Sequence, residues 1–152
     1  AAVNDSSVRP MLAKLSKDKS SYVRRDFFHN YWFFTFRDTD NLSVLIDGLT
    51  DSVPDVRAAT IDAAKIMYFD TRIVRILAPL LEDTTRLHFV DIVNERIEHR
   101  ICDEVVIALE AIVNKIFLAL KDNNISIKER DERIRNWKEW WRKNKHAYET
   151  TH

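Results

Sequence analysis

Four sets of side chains in this 152-residue chain have the types and spacing to do chemistry. Between positions 88 and 99, His88, Asp91, Glu95, Glu98 and His99 offer the imidazoles and carboxylates that transition metals take as ligands. Glu95 and His99 would share a face if that stretch were helical. No HExxH or comparable spacing is present, and charged residues between elements are ordinarily solvated, so no metal site is expected. Cys102 is the one thiol. Asp103 and Glu104 beside it would raise its pKa, the reverse of what a reactive thiolate needs, so it reads as a small core residue. No Ser-His-Asp set is assembled. No catalytic residue, metal or cofactor is assigned.

The third set is basic and aromatic. Across 127–146, eight Lys and Arg stand against four acids, a net of +4 in a chain whose total is zero. Cations interleaved with Trp137, Trp140 and Trp141 could grip phosphates and stack bases. The tryptophans fall on the packing side of a helix, however, and the last turns of a helix favour cations. A neutral chain also lacks the electrostatic footprint of a nucleic-acid binder, so nucleic acid is not the expected partner. The fourth set is the aromatic run Phe27, Phe28, Tyr31, Trp32, Phe33, Phe34 and Phe36. One core face cannot hold all of these, so the run from Phe27 to Phe36 is read as core together with a possible self-association surface.

These sets need elements to hold them, and composition restricts the choice. One glycine and three prolines are too few to turn the corners of a sandwich, a barrel or a Rossmann sheet, and Gly48 alone cannot form a phosphate loop. The apolar share, 45%, suffices for a packed core, and 32% charged residues suit a solvated surface. No apolar run is long enough to span a membrane. An all-α protein is expected, with no strand. A single domain over 8–146 with flexible ends at 1–7 and 147–152 is expected as well. The Ala1-Ala2 start fits a cleaved secretory signal or a domain boundary equally, so the compartment is left open.

The elements repeat. Leu42, Leu45, Ile46 and Leu49 lie at i, i+3, i+4 and i+7, the apolar stripe of a short helix that Asp40 can cap. A turn, Thr50 to Asp55, leads to Pro54 in the first turn of a second helix. Val56, Ala59, Ala63, Ile66 and Met67 line one side of that helix, and Ile61, Ala64 and Tyr68 add a second flank, which suits a position between neighbours. Upstream, Leu12 and Leu15 precede Asp18 and a helix opening Val23-Arg24 with Phe27, Tyr31 and Phe34. Downstream, Ile73, Ile76, Leu77, Leu80 and Leu81 end at Asp83. Asp18 to Asp51 is 33 positions and Asp51 to Asp83 is 32, while each of the first two aspartates precedes an arginine, Arg24 or Arg57, by six. Helical repeats have periods in this range.

On Leu45-x3-Leu49-x-Asp51-x4-Val56-Arg57-x-Ala59 the chain resembles the HEAT-repeat family. The match is good over 12–34 and partial over 73–83, with Pro79 where first helices of that family often kink. The resemblance implies an α-solenoid of about three helical pairs, and a structural hydrogen-bonded ladder of Asp18, Arg24, Asp51, Arg57 and Asp83. The third unit departs from the pattern. The stretch 84–100 intervenes, and Cys102 stands 45 positions after Arg57, in the place of the arginine. Arg100 to Glu104 followed by Trp137-x-x-Trp140-Trp141 resembles the ending of bacterial HEAT-repeat proteins, in which the Trp-rich helix closes the stack. Ser126 and Glu129 form a capping box at the start of that helix, which runs towards His146.

Placing the units in register nominates a concave, partner-binding strip: Arg25, His29 and Trp32 of the first unit, Asp62 and Lys65 of the second, Ile107 and Glu110 of the third, and Arg133 of the last helix. Mixed charge with one aromatic resembles a protein or peptide surface more than a phosphate groove. The expected function is therefore a non-enzymatic scaffold that binds a protein or peptide. The alternative is a HEAT-like enzyme or nucleic-acid binder of the DNA-alkylation glycosylase type, for which Trp32 and Asp62 are the one aromatic and carboxylate pair on offer.

Overall fold

The computed structural model describes residues 8–30, 42–65, 72–92, 95–114 and 126–149, the side chains of 8, 9 and 88–97 excepted. Asp40, Ile66, Met67, Tyr68 and the aromatics Tyr31 to Phe36, Trp32 among them, lie outside the described residues. The chain is mostly helical. Its described helices are α1 (Val8–Ser16), α2 (Ser21–His29), α3 (Leu42–Leu49), α4 (Pro54–Lys65), α5 (Arg72–Leu77), α6 (Ile101–Val113) and α7 (Ile127–Glu149).

Local chemistry explains most of the boundaries. Pro54 opens α4, where a missing N–H is harmless and its fixed φ suits the helix. Pro79 ends α5, because its ring opposes the i−4 carbonyl, and the chain tightens into a 3-10 turn over Ala78–Glu82. Asn114 ends α6 in the left-handed conformation, φ 51°, which asparagine tolerates better than most residues. Ser126 and Glu129 form a reciprocal cap on α7: the Ser126 N–H donates to Glu129 Oε2 at 2.9 Å, and the Glu129 N–H donates to Ser126 Oγ at 3.3 Å. α7 continues past His146 to Glu149.

Burial follows the apolar stripes with one adjustment. In α3 the core side is Val44, Leu45, Gly48 and Leu49, and Ile46 points outward. In α4, Val56, Ala59, Thr60, Ile61, Ala63 and Ala64 are all buried, so only a narrow face carrying Asp62 meets water. This double-sided burial places α4 against α2, α3 and α6. Packing runs in two rows: α2 on α4 and α4 on α6, then α1 on α3, α3 on α5 and α5 on α7. Phe27 and Phe28 are both buried, edge to face at 4.9 Å. The core ends at Trp137 of α7, fully buried, with Ile134 on the same helix also buried.

The all-α character holds with one departure, a strand pair where none is expected. β1 (Arg86–Ile92) and β2 (Glu95–Arg100) form an antiparallel hairpin between the 3-10 turn and α6, with Val90 opposite Ile97 and Ile92 opposite Glu95. Phe89, Val90, Ile92 and Ile97 are β-favouring residues. The glycine count that excludes a large sheet does not exclude one ribbon. The ribbon does not separate the helices flanking it, since the 3-10 turn packs directly on α6.

Gly48 is placed by packing. A methyl group there would overlap the Phe28 ring from α2 and Thr60 Oγ1 from α4. Three helices therefore approach one another at the single glycine. Gly48→Ala is expected to lower stability by about 1–3 kcal/mol through overpacking, read as a lower urea midpoint at unchanged slope. An unchanged midpoint would show that Phe28 yields at no cost.

Candidate functional site

Charge enters this structure first at the turns between helices. Asp18, Asp51 and Asp83 each accept a backbone N–H two residues on, from Ser20, Val53 and Thr85, at 2.8 to 2.9 Å. Arg24 Nη1 donates to the Asp18 carbonyl and Arg57 Nη1 to the Asp51 carbonyl, each at 2.7 Å, which is why arginine follows aspartate by six residues. Each guanidinium then reaches the next turn. Arg24 donates to both carboxylate oxygens of Asp51 at 2.6 and 3.0 Å, and Arg57 donates to Asp83 at 3.0 Å. At the third turn, the Cys102 backbone N–H donates to the Asp83 carbonyl at 2.9 Å. Burial alone would raise both carboxyls. The Arg24 and Val53 hydrogen bonds hold Asp51 below its ordinary range, and those of Thr85 together with Arg57 hold Asp83 there.

The second concentration lies at the start of α6. This helix carries three carboxylates, Asp103, Glu104 and Glu110, and no cation. Two sit in its first turn, where the helix dipole favours negative charge. Asp103 accepts the Arg100 N–H at 2.9 Å, capping the helix, and its buried carboxylate is shared by the guanidiniums of Arg100 from β2 and Arg130 from α7. Arg130 also donates to the Glu98 carbonyl at 2.7 Å, tying α7 to the ribbon. Burial would raise Asp103, but the two guanidiniums keep it below the usual carboxylate range. Glu104 accepts from His99 at 2.7 Å and from Lys65 of α4 at 3.1 Å. The His99 hydrogen bond and the Lys65 charge outweigh burial and hold Glu104 at about 2.

The residues nominated for the concave strip are distributed over this framework. Lys65 bridges Asp62 on its own helix and Glu104 on α6. Glu110 pairs with Arg133, both largely buried, joining α6 to α7. Arg25 pairs with its neighbour Asp26 and lies over the Tyr22 ring at 5.3 Å. His29 is exposed at the end of α2. Among the described residues no group of three or more His, Cys, Asp and Glu is arranged to hold a metal ion. Of the histidine and carboxylate set, His88 lies opposite His99 in the backbone register of the ribbon. Cys102 is buried, and both burial and the Asp103 charge push its thiol up. No described helix is long and apolar enough to cross a membrane.

A concave surface among the described residues is not assembled by the sequence pattern. Between the 3-10 turn and α7 runs a groove of about 670 Å³ with Ala78, Pro79, Leu81 and Trp141 as its apolar part. Arg135, Lys138, Arg142 and Lys145 stand along it at i, i+3, i+7 and i+10, one stripe of α7. The basic and tryptophan composition of 127–146 is the signal for it. The groove itself depends on where Pro79 turns the chain.

Two outcomes test the clamp at α6. Asp103→Ala would leave Arg130 buried without its carboxylate and is expected to lower stability by about 3–5 kcal/mol in urea unfolding. A loss below about 1 kcal/mol would mean that Arg130 finds water instead. For Glu104, the folded-state pKa lies below the ordinary value of 4.5, so its contribution is complete above that value and lost as pH falls towards about 2. Stability measured between those limits should decline by about 2–3 kcal/mol more in the native chain than in Glu104→Gln. Parallel declines would remove the assignment.

Compared with models of protein families, with curated proteins and with solved structures, the chain gives no significant match in any of the three.

Proposed function

We propose that this chain is a non-enzymatic interaction module, a short α-solenoid of HEAT-like helical pairs closed by α7, which binds a segment of another protein. The observation that carries the reading is the recurrence of one turn clamp. Arg24 and Arg57 make the same carbonyl hydrogen bond in their own turn and the same carboxylate pair with the next, at a separation close to one repeat. The two rows of helix packing support the same arrangement, since each of α1 to α5 meets the helix two further along the chain. Non-enzymatic binding is supported by where the perturbed carboxylates are. Asp51, Asp83, Asp103 and Glu104 each join separate elements through a cation, which is the pattern of structural clamps rather than of a poised acid and base. Of the nominated strip, Lys65 with Asp62 and Glu104, and Glu110 with Arg133, contribute to the scaffold through such pairs, whereas Arg25 and His29 lie on the surface of α2. A surface left for a partner lies where α7 meets the 3-10 turn.

The reading is tested by panning a library of random linear peptides against the folded chain. A consensus that binds the folded chain in solution, and not the heat-unfolded chain, is the expected result. Recovery of no sequence that binds the folded chain in solution would overturn the reading.

A further inference from the structure

The cations of the α7 stripe are unequally engaged. Lys138 is paired with Glu82 at 2.7 Å, and Glu139, the other acid on the rim, is held by Lys143 at 2.6 Å. Arg135, Arg142 and Lys145 have no ion-pair partner among the described residues. Elsewhere the chain matches its partly buried guanidiniums to carboxylates, as with Arg24, Arg57, Arg100, Arg130 and Arg133. The groove thus sets unpaired positive charge beside apolar surface, with Pro79 exposed and Trp141 half-buried. A smaller recess of about 250 Å³ continues it past Leu81, Arg135 and Lys138 towards Thr84.

We propose that this groove receives an extended acidic segment of a partner protein, which sets its carboxylates on Arg135, Arg142 and Lys145 and lays an apolar side chain against Trp141 and Pro79. The proposal rests on the interaction-module reading and names the surface and the chemistry. Dimensions agree with it. From Arg135 to Lys145 the helix rises about 15 Å, the length of about five residues of extended chain. A groove of this volume lies within the usual range for ligand sites of roughly 300–1,000 Å³. Charge pattern selects a peptide over a nucleic acid. Glu82 and Glu139 interrupt the cationic row, and the whole chain is neutral. A phosphate backbone presents unbroken negative charge to those two carboxylates, whereas a peptide can place a neutral or basic residue opposite each. Arginine forks suit carboxylates, and tryptophan supplies apolar area at low entropic cost.

The test uses the full chain and fluorescence anisotropy at low salt. The probes are a short peptide of Asp and Glu around a central Phe, its Lys counterpart, and a single-stranded oligonucleotide of equal charge. The acidic peptide should bind. The double variant Arg142→Glu/Lys145→Glu should weaken that binding by about tenfold or more at unchanged thermal midpoint, since Arg142 is exposed on α7 and Lys145 is half-exposed with no ion pair among the described residues. The double variant Lys14→Glu/Lys128→Glu carries the same charge change away from the groove and should leave binding within about twofold. Equal losses in both variants would reduce the effect to net charge and overturn the proposal. It would equally be overturned by tighter binding of the oligonucleotide with the same dependence on Arg142 and Lys145, or by sedimentation showing a dimer that the groove variant dissolves. If library panning yields a consensus whose binding is indifferent to Arg142→Glu/Lys145→Glu, this groove is not the site although the interaction-module reading stands. If panning yields nothing, that reading itself fails.

Discussion

A buried carboxylate shared by two guanidiniums governs how the second half of this chain is arranged. Asp103 stands at the first turn of α6 with Arg100 on one side and Arg130 on the other, and Glu104 beside it takes His99 and Lys65. The ribbon, α4 and α7 are thereby tied to one helix that has acids and no bases. Ion pairs out of water add little net stability over well-packed apolar groups, but breaking one is costly, because the remaining charge has no solvent to turn to. Such a cluster therefore penalises other arrangements of these elements more than it strengthens this one. The apolar core under it, with Ile101, Val105, Leu109 and Trp137, supplies the larger share of the driving force.

The turns use the same physics on a smaller scale. An aspartate that accepts a nearby N–H closes its own turn, and the same carboxylate also takes an arginine from the preceding helix pair. One side chain thus fixes a local bend and a contact between neighbours. At the third turn the device is reduced to a backbone hydrogen bond from Cys102, and there the ribbon enters and α6 starts a different set of charge pairs. Internal use of charge also bears on binding. Lys65, Glu110 and Arg133 are engaged in holding helices together, whereas Arg135, Arg142 and Lys145 along α7 make no such pair among the described residues.

Particular residues show how far the sequence could be read. The stripes of α3, α5 and α7 were visible because one helical face is apolar, and the burial of Leu45, Ile73 and Trp137 follows from that alone. Ile46 lies outside the core of α3, because the i+4 position is at the edge of the stripe and Val44 is buried in its stead. The capping box at Ser126 and the helix start at Pro54 are local chemistry, legible from a few neighbouring residues. The ribbon was not legible through glycine and proline, the punctuation that usually marks a hairpin, although its β-branched residues were there to be read.

Periodicity along the chain, then, decided which residues form helices and which faces they bury, because both depend on spacings of a few residues. Partnerships over long separations were decided by the folded structure. Nothing within 27 residues of Arg130 announces that it shares Asp103 with Arg100, nor does α7 by itself indicate that Arg135, Arg142 and Lys145 will border a groove. Those relations depend on where helices stop and how closely they approach. A proline ring at position 79 and a missing side chain at Gly48 govern such placements here, through steric exclusion that acts only once distant segments are packed together.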